Sequence, residues 1–140
     1  MGKLSKDFEL WEFACACGCG YEDIDPKLVD RLQCLRDLVG KPIIVTSGCR
    51  CKLYNKHIGG VYNSPHLYGL GADLQVDGMT PTTLAILADR IHYIRIGVYP
   101  THLHIDIKPH NPSRYWLVKN DKYIYSGKEK DLNKFLKKNL

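Results

Sequence analysis

The sequence predicts an α+β fold: one domain with helices packed on a mainly antiparallel sheet. Three observations carry this reading. Ala72 to Val76 and Leu103 to Ile107 alternate apolar and polar residues at the period of a half-buried strand. Asp25 to Gly40 and Thr80 to about Arg90 place apolar residues at helical spacing between start and stop signals. Tyr115 to Val118 and Tyr123 to Tyr125, separated around Asn120-Asp121, have the composition of a hairpin.

The elements follow in order. Asp25 suits an N-cap and Pro26 the first helical position; Leu28, Leu32 and Leu35 then recur on one face, with Leu38 close by, and Gly40 ends the helix. Cys34, between Leu32 and Leu35, is expected to pack inside with them. Pro42-Ile43-Ile44-Val45-Thr46 reads as a buried strand, because most of it is β-branched. Ser47 to Gly71 reads as one long loop rich in Gly, Asn, Ser and Pro, and a loop of that length in a small domain is usually functional. In the strand that follows, Asp73, Gln75 and Asp77 share one face. Thr80 caps the second helix with Pro81 at its first position, and Leu84, Leu87, Ala88 and Ile91 follow. Ile94 to Val98 is a further strand. Leu103, Ile105 and Ile107 form the apolar face of the next, with His102, His104, Asp106 and Lys108 opposite. A basic helix from about Glu129 closes the chain.

Length and composition bound the function. The 140 residues, 44% hydrophobic and 25% charged, suit one domain over residues 1–140 with a real core. No apolar run approaches the ~20 residues of a membrane span, so no transmembrane anchor is expected. The start, MGKLSKDFELWEF, lacks the apolar stretch of a secretory signal. The net charge of +5 is partly concentrated in Lys128, Lys130, Lys134, Lys137 and Lys138, which read as the solvated face of the last helix. There is no RNP-like aromatic pattern, Cys2His2 finger or Walker loop, so nucleic acid is not an expected partner. A monomer is the expectation.

The polar faces of two strands carry residues of the metal-binding kind. One holds Asp73 and the other His102 and His104, while His66 lies just upstream in Ser64-Pro65-His66-Leu67-Tyr68-Gly69-Leu70-Gly71-Ala72-Asp73. Zinc favours imidazole nitrogen and carboxylate oxygen, and a catalytic zinc keeps three protein ligands and one open position. Gly69 and Gly71 let the chain turn so that His66 and Asp73 can face one ion. Spacing alone does not justify a metal site, because a His–Asp pair in a loop is more often surface hydrogen bonding.

The ordered set of segments resembles the zinc D-Ala-D-Ala carboxypeptidase family. The Ser64 to Asp73 stretch matches its first histidine motif. Ser47-Gly48-Cys49-Arg50-Cys51, Asn55, Gly59-Gly60, Arg95 to Pro100 and His104-Ile105-Asp106 resemble its other conserved segments, and Phe13, Cys15 and Ile24-Asp25 its start in small bacterial and phage members. The resemblance covers about residues 4–110 and leaves the hairpin and basic helix, about 111–140, outside. It implies the fold shared with D-Ala-D-Ala dipeptidases, phage L-alanyl-D-glutamate endolysins and the hedgehog signalling domain. It implies zinc held by His66, Asp73 and His104, and attack of zinc-bound water on a peptide bond of peptidoglycan. It also implies an Arg50 that reaches the substrate carbonyl or carboxylate. Such a protein would be made in the cytoplasm and act on the cell wall after release or delivery; a phage lysis protein or a small wall-remodelling enzyme fits the size.

One departure matters. Dipeptidases and endolysins carry Glu-x-x-His, with Glu as general base. Here Thr101 stands three before His104, and no Glu or Asp lies between Ile91 and Leu103. His102 is the first candidate for the proton-moving group and Asp106 the second, although Asp106 equally suits a partner that orients His104. Ser64 could contact substrate or a ligand, or shape its loop. A different cleavage point, that of an L-Ala-D-Glu endopeptidase, is the first rival reading, and the missing Glu keeps open a second, a non-catalytic, zinc-containing wall-binding or interaction module.

Six cysteines, Cys15, Cys17, Cys19, Cys34, Cys49 and Cys51, admit three readings: free thiols, disulfides, or a second metal, for which C-x-C spacing is a weak signal. Tyr115, Trp116, Tyr123 and Tyr125 suit strand packing first and ligand contact second. His57, His92 and His110 match no motif.

Overall fold

Cross-strand register decides where the chemistry of this chain can gather. The computed structural model describes residues 2–109 and 113–140, so His110 lies outside the described residues. Strands β1 (Ile44–Ser47), β2 (Gly71–Gln75), β3 (Arg95–Val98), β4 (Leu103–Asp106), β5 (Tyr115–Lys119) and β6 (Lys122–Tyr125) form one sheet in the order β1-β2-β4-β3-β5-β6. All neighbours are antiparallel except β3 and β5, which run parallel, so the sheet is mixed. Both edges of β4 are taken by β2 and β3, and β5 joins at the open edge of β3.

Helix α1 (Pro26–Val39) starts where the Asp25 carboxylate accepts the Lys27 N–H at 2.8 Å, and Gly40 ends it with a left-handed φ of 71°. Helix α3 (Pro81–Ala88) starts where Thr80 Oγ1 accepts the Thr83 N–H at 3.1 Å. These two helices cover one sheet face. Leu28, Leu32 and Leu35 of α1 and Leu84, Ala85 and Ala88 of α3 share a core with Ala72, Leu74, Ile96, Val98, Leu103 and Ile105. Helix α4 (Leu132–Asn139) adds Leu132, Phe135 and Leu136 to it, leaving Lys134, Lys137 and Lys138 outside. Asn120 and Asp121 join β5 to β6 with φ of 53° and 60°, the left-handed pair that a two-residue hairpin turn requires. Among the described residues no helix is long and apolar enough to cross a membrane.

Three sequence expectations are corrected. β1 is not a buried strand but an edge strand with a single neighbour; Ile43 before it is buried, whereas Ile44 is 45% exposed. Cys34 is exposed, because one helical residue turns the side chain ~100° away from the Leu35 stripe. The stretch from Ser47 to Gly71 contains helix α2 (Lys52–His57) and a 3-10 turn, Pro65–Tyr68. Both begin at local caps: Cys51 Sγ accepts the Tyr54 N–H, and Ser64 Oγ accepts the His66 N–H.

Gly69 ends the 3-10 turn at φ 68°, and a Cβ there would meet the Asp23 carbonyl oxygen, a backbone atom that cannot swing aside. Gly127 has a similar φ of 59° with open space around it. Gly69→Ala is therefore expected to lower unfolding free energy by more than about 3 kcal/mol, against about 1 kcal/mol for Gly127→Ala. Urea denaturation checks this; equal costs would mean that the close approach to Asp23 is not a constraint.

Candidate metal centre

The sheet face opposite α1 and α3 carries one transverse row across all six strands. Ser47 pairs with Asp73, Asp73 with His104, His104 with Gly97, Gly97 with Trp116 and Trp116 with Tyr125. Asp73 and His104 are thus neighbours by register alone. Gly97 has no side chain, and the Trp116 indole fills the space it leaves; a Cβ there would lie 2.4 Å from the ring. The indole in turn packs against the His104 imidazole, centroids 5.3 Å apart.

His66 comes from the 3-10 turn just before β2. The Gly48 carbonyl can only accept, so His66 Nδ1, 2.7 Å away, carries the proton and Nε2 presents its lone pair. That lone pair faces Asp73 Oδ1 at 3.2 Å. His104 is arranged the other way round. Its Nε2 donates to Asp106 Oδ2 at 2.7 Å, and its Nδ1 faces the same Asp73 Oδ1 at 2.9 Å. Two imidazole nitrogens and one carboxylate oxygen therefore converge with their lone pairs directed inward. Such a set needs a proton or a cation between its members. The donor atoms of His66, Asp73 and His104 lie within 4.8 Å of one another, so the cluster can coordinate a metal ion.

The surrounding groups fix these ligands. Arg95, named above only as the first residue of a family-like segment, donates to both oxygens of Asp106 at 2.8 and 2.9 Å. Its position was readable only through register, since Arg95 pairs with Asp106 across β3 and β4. Asp106 is fully buried and spends its oxygens on Arg95, His104 and the Lys108 N–H. Arg50 donates to Asp73 Oδ2 at 3.0 Å, to Ser47 Oγ and to Asn55 Oδ1. His102 stacks on Tyr99 with ring centroids 4.5 Å apart, and its Nε2 lies 3.7 Å from Asp73 Oδ2. Ser64 is buried, with its oxygen engaged by the His66 N–H. His57 and His92 are exposed and outside this cluster.

The cluster lines a cavity of about 620 Å³. Arg50, Arg95 and Lys108 also line it, and Asp73 is the one carboxylate on its wall among the described residues. Tyr123 and Tyr125, exposed on the outer strand, form its far side.

The profile of the peptidase M15 family matches residues 6–108. The chain belongs to that family. A 45-residue segment is also 47% identical to the zinc D-Ala-D-Ala carboxypeptidase of Streptomyces albus G; it covers 31% of this chain and 18% of that enzyme. The chain thus matches just under a fifth of that relative's length.

The electrostatics of the M15 centre follow from its contacts. Burial pushes His66 below its ordinary value. Burial would raise Asp73, but its close contacts with the imidazoles of His104 and His66 and their charge hold it well below the usual carboxylate range. Burial would lower His104, yet hydrogen bonds to Asp106 and Asp73 push it up to about 9. Burial likewise lowers His102.

Two expectations result. A metal must displace the proton on His104 Nδ1, so affinity should rise about tenfold per pH unit from neutrality up to about 9. Metal-free stability should move oppositely. The raised His104 contributes fully below its unfolded value of 6.5, and that contribution is lost as pH rises through about 9. Zinc titrations against a competing chelator and metal-free melting curves, both from pH 6 to 9, check the pair; the same slope in both would contradict the assignment. Asp106→Asn should weaken metal binding by about 10- to 100-fold. Unchanged affinity in the same chelator competition would mean that Asp106 does not orient His104.

Proposed function

We propose that this M15 domain is a zinc-dependent peptidase that hydrolyses a peptide bond of peptidoglycan, of the D-Ala-D-Ala carboxypeptidase type. The observation that carries the reading is a buried two-histidine, one-carboxylate centre opening into a cavity whose other charged groups are cationic. The similarity of one segment to a zinc D-Ala-D-Ala carboxypeptidase supports the substrate class. When bound, zinc would polarise the scissile carbonyl and lower the pKa of a water beside it.

The chain's own residues supply the rest. Arg50 holds a guanidinium against Asp73 at the cavity wall, tied by Ser47 and Asn55, where it can meet the oxyanion that forms on the carbonyl. Lys108 adds positive charge to the same wall, which suits the free carboxylate at the end of a wall peptide. The Glu-x-x-His base of other members has no counterpart on the wall among the described residues, and Asp106 is enclosed by Arg95 and His104. Asp106 therefore orients His104. The proton falls to His102, which lines the cavity with Nε2 beside Asp73 while Thr101 Oγ1 contacts its Nδ1 at 3.0 Å. Ser64 sets the position of His66.

The test uses purified peptidoglycan and zinc-loaded protein. Mass analysis of released products should show loss of a terminal alanine. His102→Ala should keep its zinc and lower kcat by about 100-fold or more. Cleavage between L-Ala and D-Glu instead would replace the carboxypeptidase reading with an endopeptidase, and wall binding with no new termini would remove the enzyme reading.

A further inference from the structure

A second group of metal-ligating side chains lies outside the centre described above. Cys15, Cys17 and Cys19 come from the N-terminal segment and Cys51 from the start of α2. One sulfur from each lies within 4.8 Å of all the others. Cys15 Sγ is 3.4 Å from Cys17 Sγ, and Cys17 Sγ is 3.6 Å from Cys51 Sγ. A tetrahedral zinc with bonds of ~2.3 Å holds its sulfurs ~3.8 Å apart. Cys17 sits almost equally near two sulfurs, so the thiols converge as a set and do not sort into pairs.

The backbone is built for that convergence. Gly18 and Gly20 have φ of 82° and 90°, with open space where a Cβ would sit, so glycine serves the turn and not packing. The loop is closed by Cys15 N–H to the Tyr21 carbonyl at 2.8 Å and Gly18 N–H to the Cys15 carbonyl at 3.1 Å. Backbone N–H groups also point at sulfur: Cys51 N–H at Cys15 Sγ and Tyr54 N–H at Cys51 Sγ, each at 3.4 Å. Such donors stabilise a thiolate, the form that binds metal. Cys49 and Cys34 lie outside the group.

We propose that Cys15, Cys17, Cys19 and Cys51 bind a structural zinc ion in an all-thiolate, closed tetrahedral site. Closed four-sulfur coordination is the pattern of structural zinc, in contrast to the open three-ligand centre of His66, Asp73 and His104. The ion clasps the N-terminal segment to the loop that carries Arg50. The two are already in contact, with Cys49 N–H donating to the Phe13 carbonyl at 2.9 Å and Gly48 against the Phe13 backbone. Because Cys51 directly follows Arg50, the clasp fixes the loop from which Arg50 reaches Asp73. The proposal does not rest on the peptidase reading.

The test is native mass spectrometry with zinc X-ray absorption on protein purified under reducing conditions. Wild type should carry two zinc ions per chain. A His66→Ala/His104→Ala variant should keep one, with a sulfur-only shell at ~2.3 Å. Cys17→Ser/Cys19→Ser alters two exposed residues and should keep one ion with nitrogen and oxygen neighbours. If that variant fails to fold, the absorption spectrum of the histidine variant still decides. A histidine variant with no zinc, a shell containing nitrogen, or an intact mass short of the hydrogens lost to disulfides would overturn the proposal. Loss of the nitrogen- and oxygen-bound ion alone would count against the His66 centre and leave this one standing.

Discussion

Asp73 and His104 stand opposite each other on β2 and β4, and a slip of one residue in either strand would send one of them into the apolar core. The centre depends on this register. It is held from both directions by the alternation itself, because Ala72, Leu74, Leu103 and Ile105 must face α1 and α3. Hydrophobic burial on one sheet face thereby places a carboxylate and an imidazole on the other. The same row explains Gly97, whose missing side chain admits the Trp116 indole against His104.

Burying so many polar groups is costly unless each has a partner. Here partners are arranged in series. Arg95 neutralises Asp106, Asp106 holds His104 Nε2, and His104 Nδ1 faces Asp73. On the other side the Gly48 carbonyl fixes His66, and Arg50 balances the outer oxygen of Asp73. Each side chain of the cluster is thus held in one orientation, which would reduce the ordering required on binding an ion. The loop supplying Gly48 and Arg50 is itself braced by the N-terminal segment through Phe13.

Much of this was legible in the chain. Capping at Asp25 and Thr80, the strand alternation around Asp73 and His104, and the Asn120-Asp121 turn are local signals, and local signals survive folding. The candidate ligands were legible because their motifs are ordered along the chain. Less visible was whatever depends on neighbours distant in sequence. Ile44 has the composition of a buried strand residue, but only sheet order shows it to be on an edge. Arg95 has no local mark, and its role appears only across the β3–β4 ladder. Cys51 is separated from Cys15 by the whole of α1 and β1, so C-x-C spacing alone understated what the fold brings together.

The most direct measurement of the central claim is anomalous diffraction at the zinc edge from crystals grown with zinc. The peak in the large cavity should lie within bonding distance of His66 Nε2, a carboxylate oxygen of Asp73 and His104 Nδ1, with His104 Nε2 still on Asp106. A peak bonded to His104 Nε2, or no peak between β2 and β4, would contradict the account.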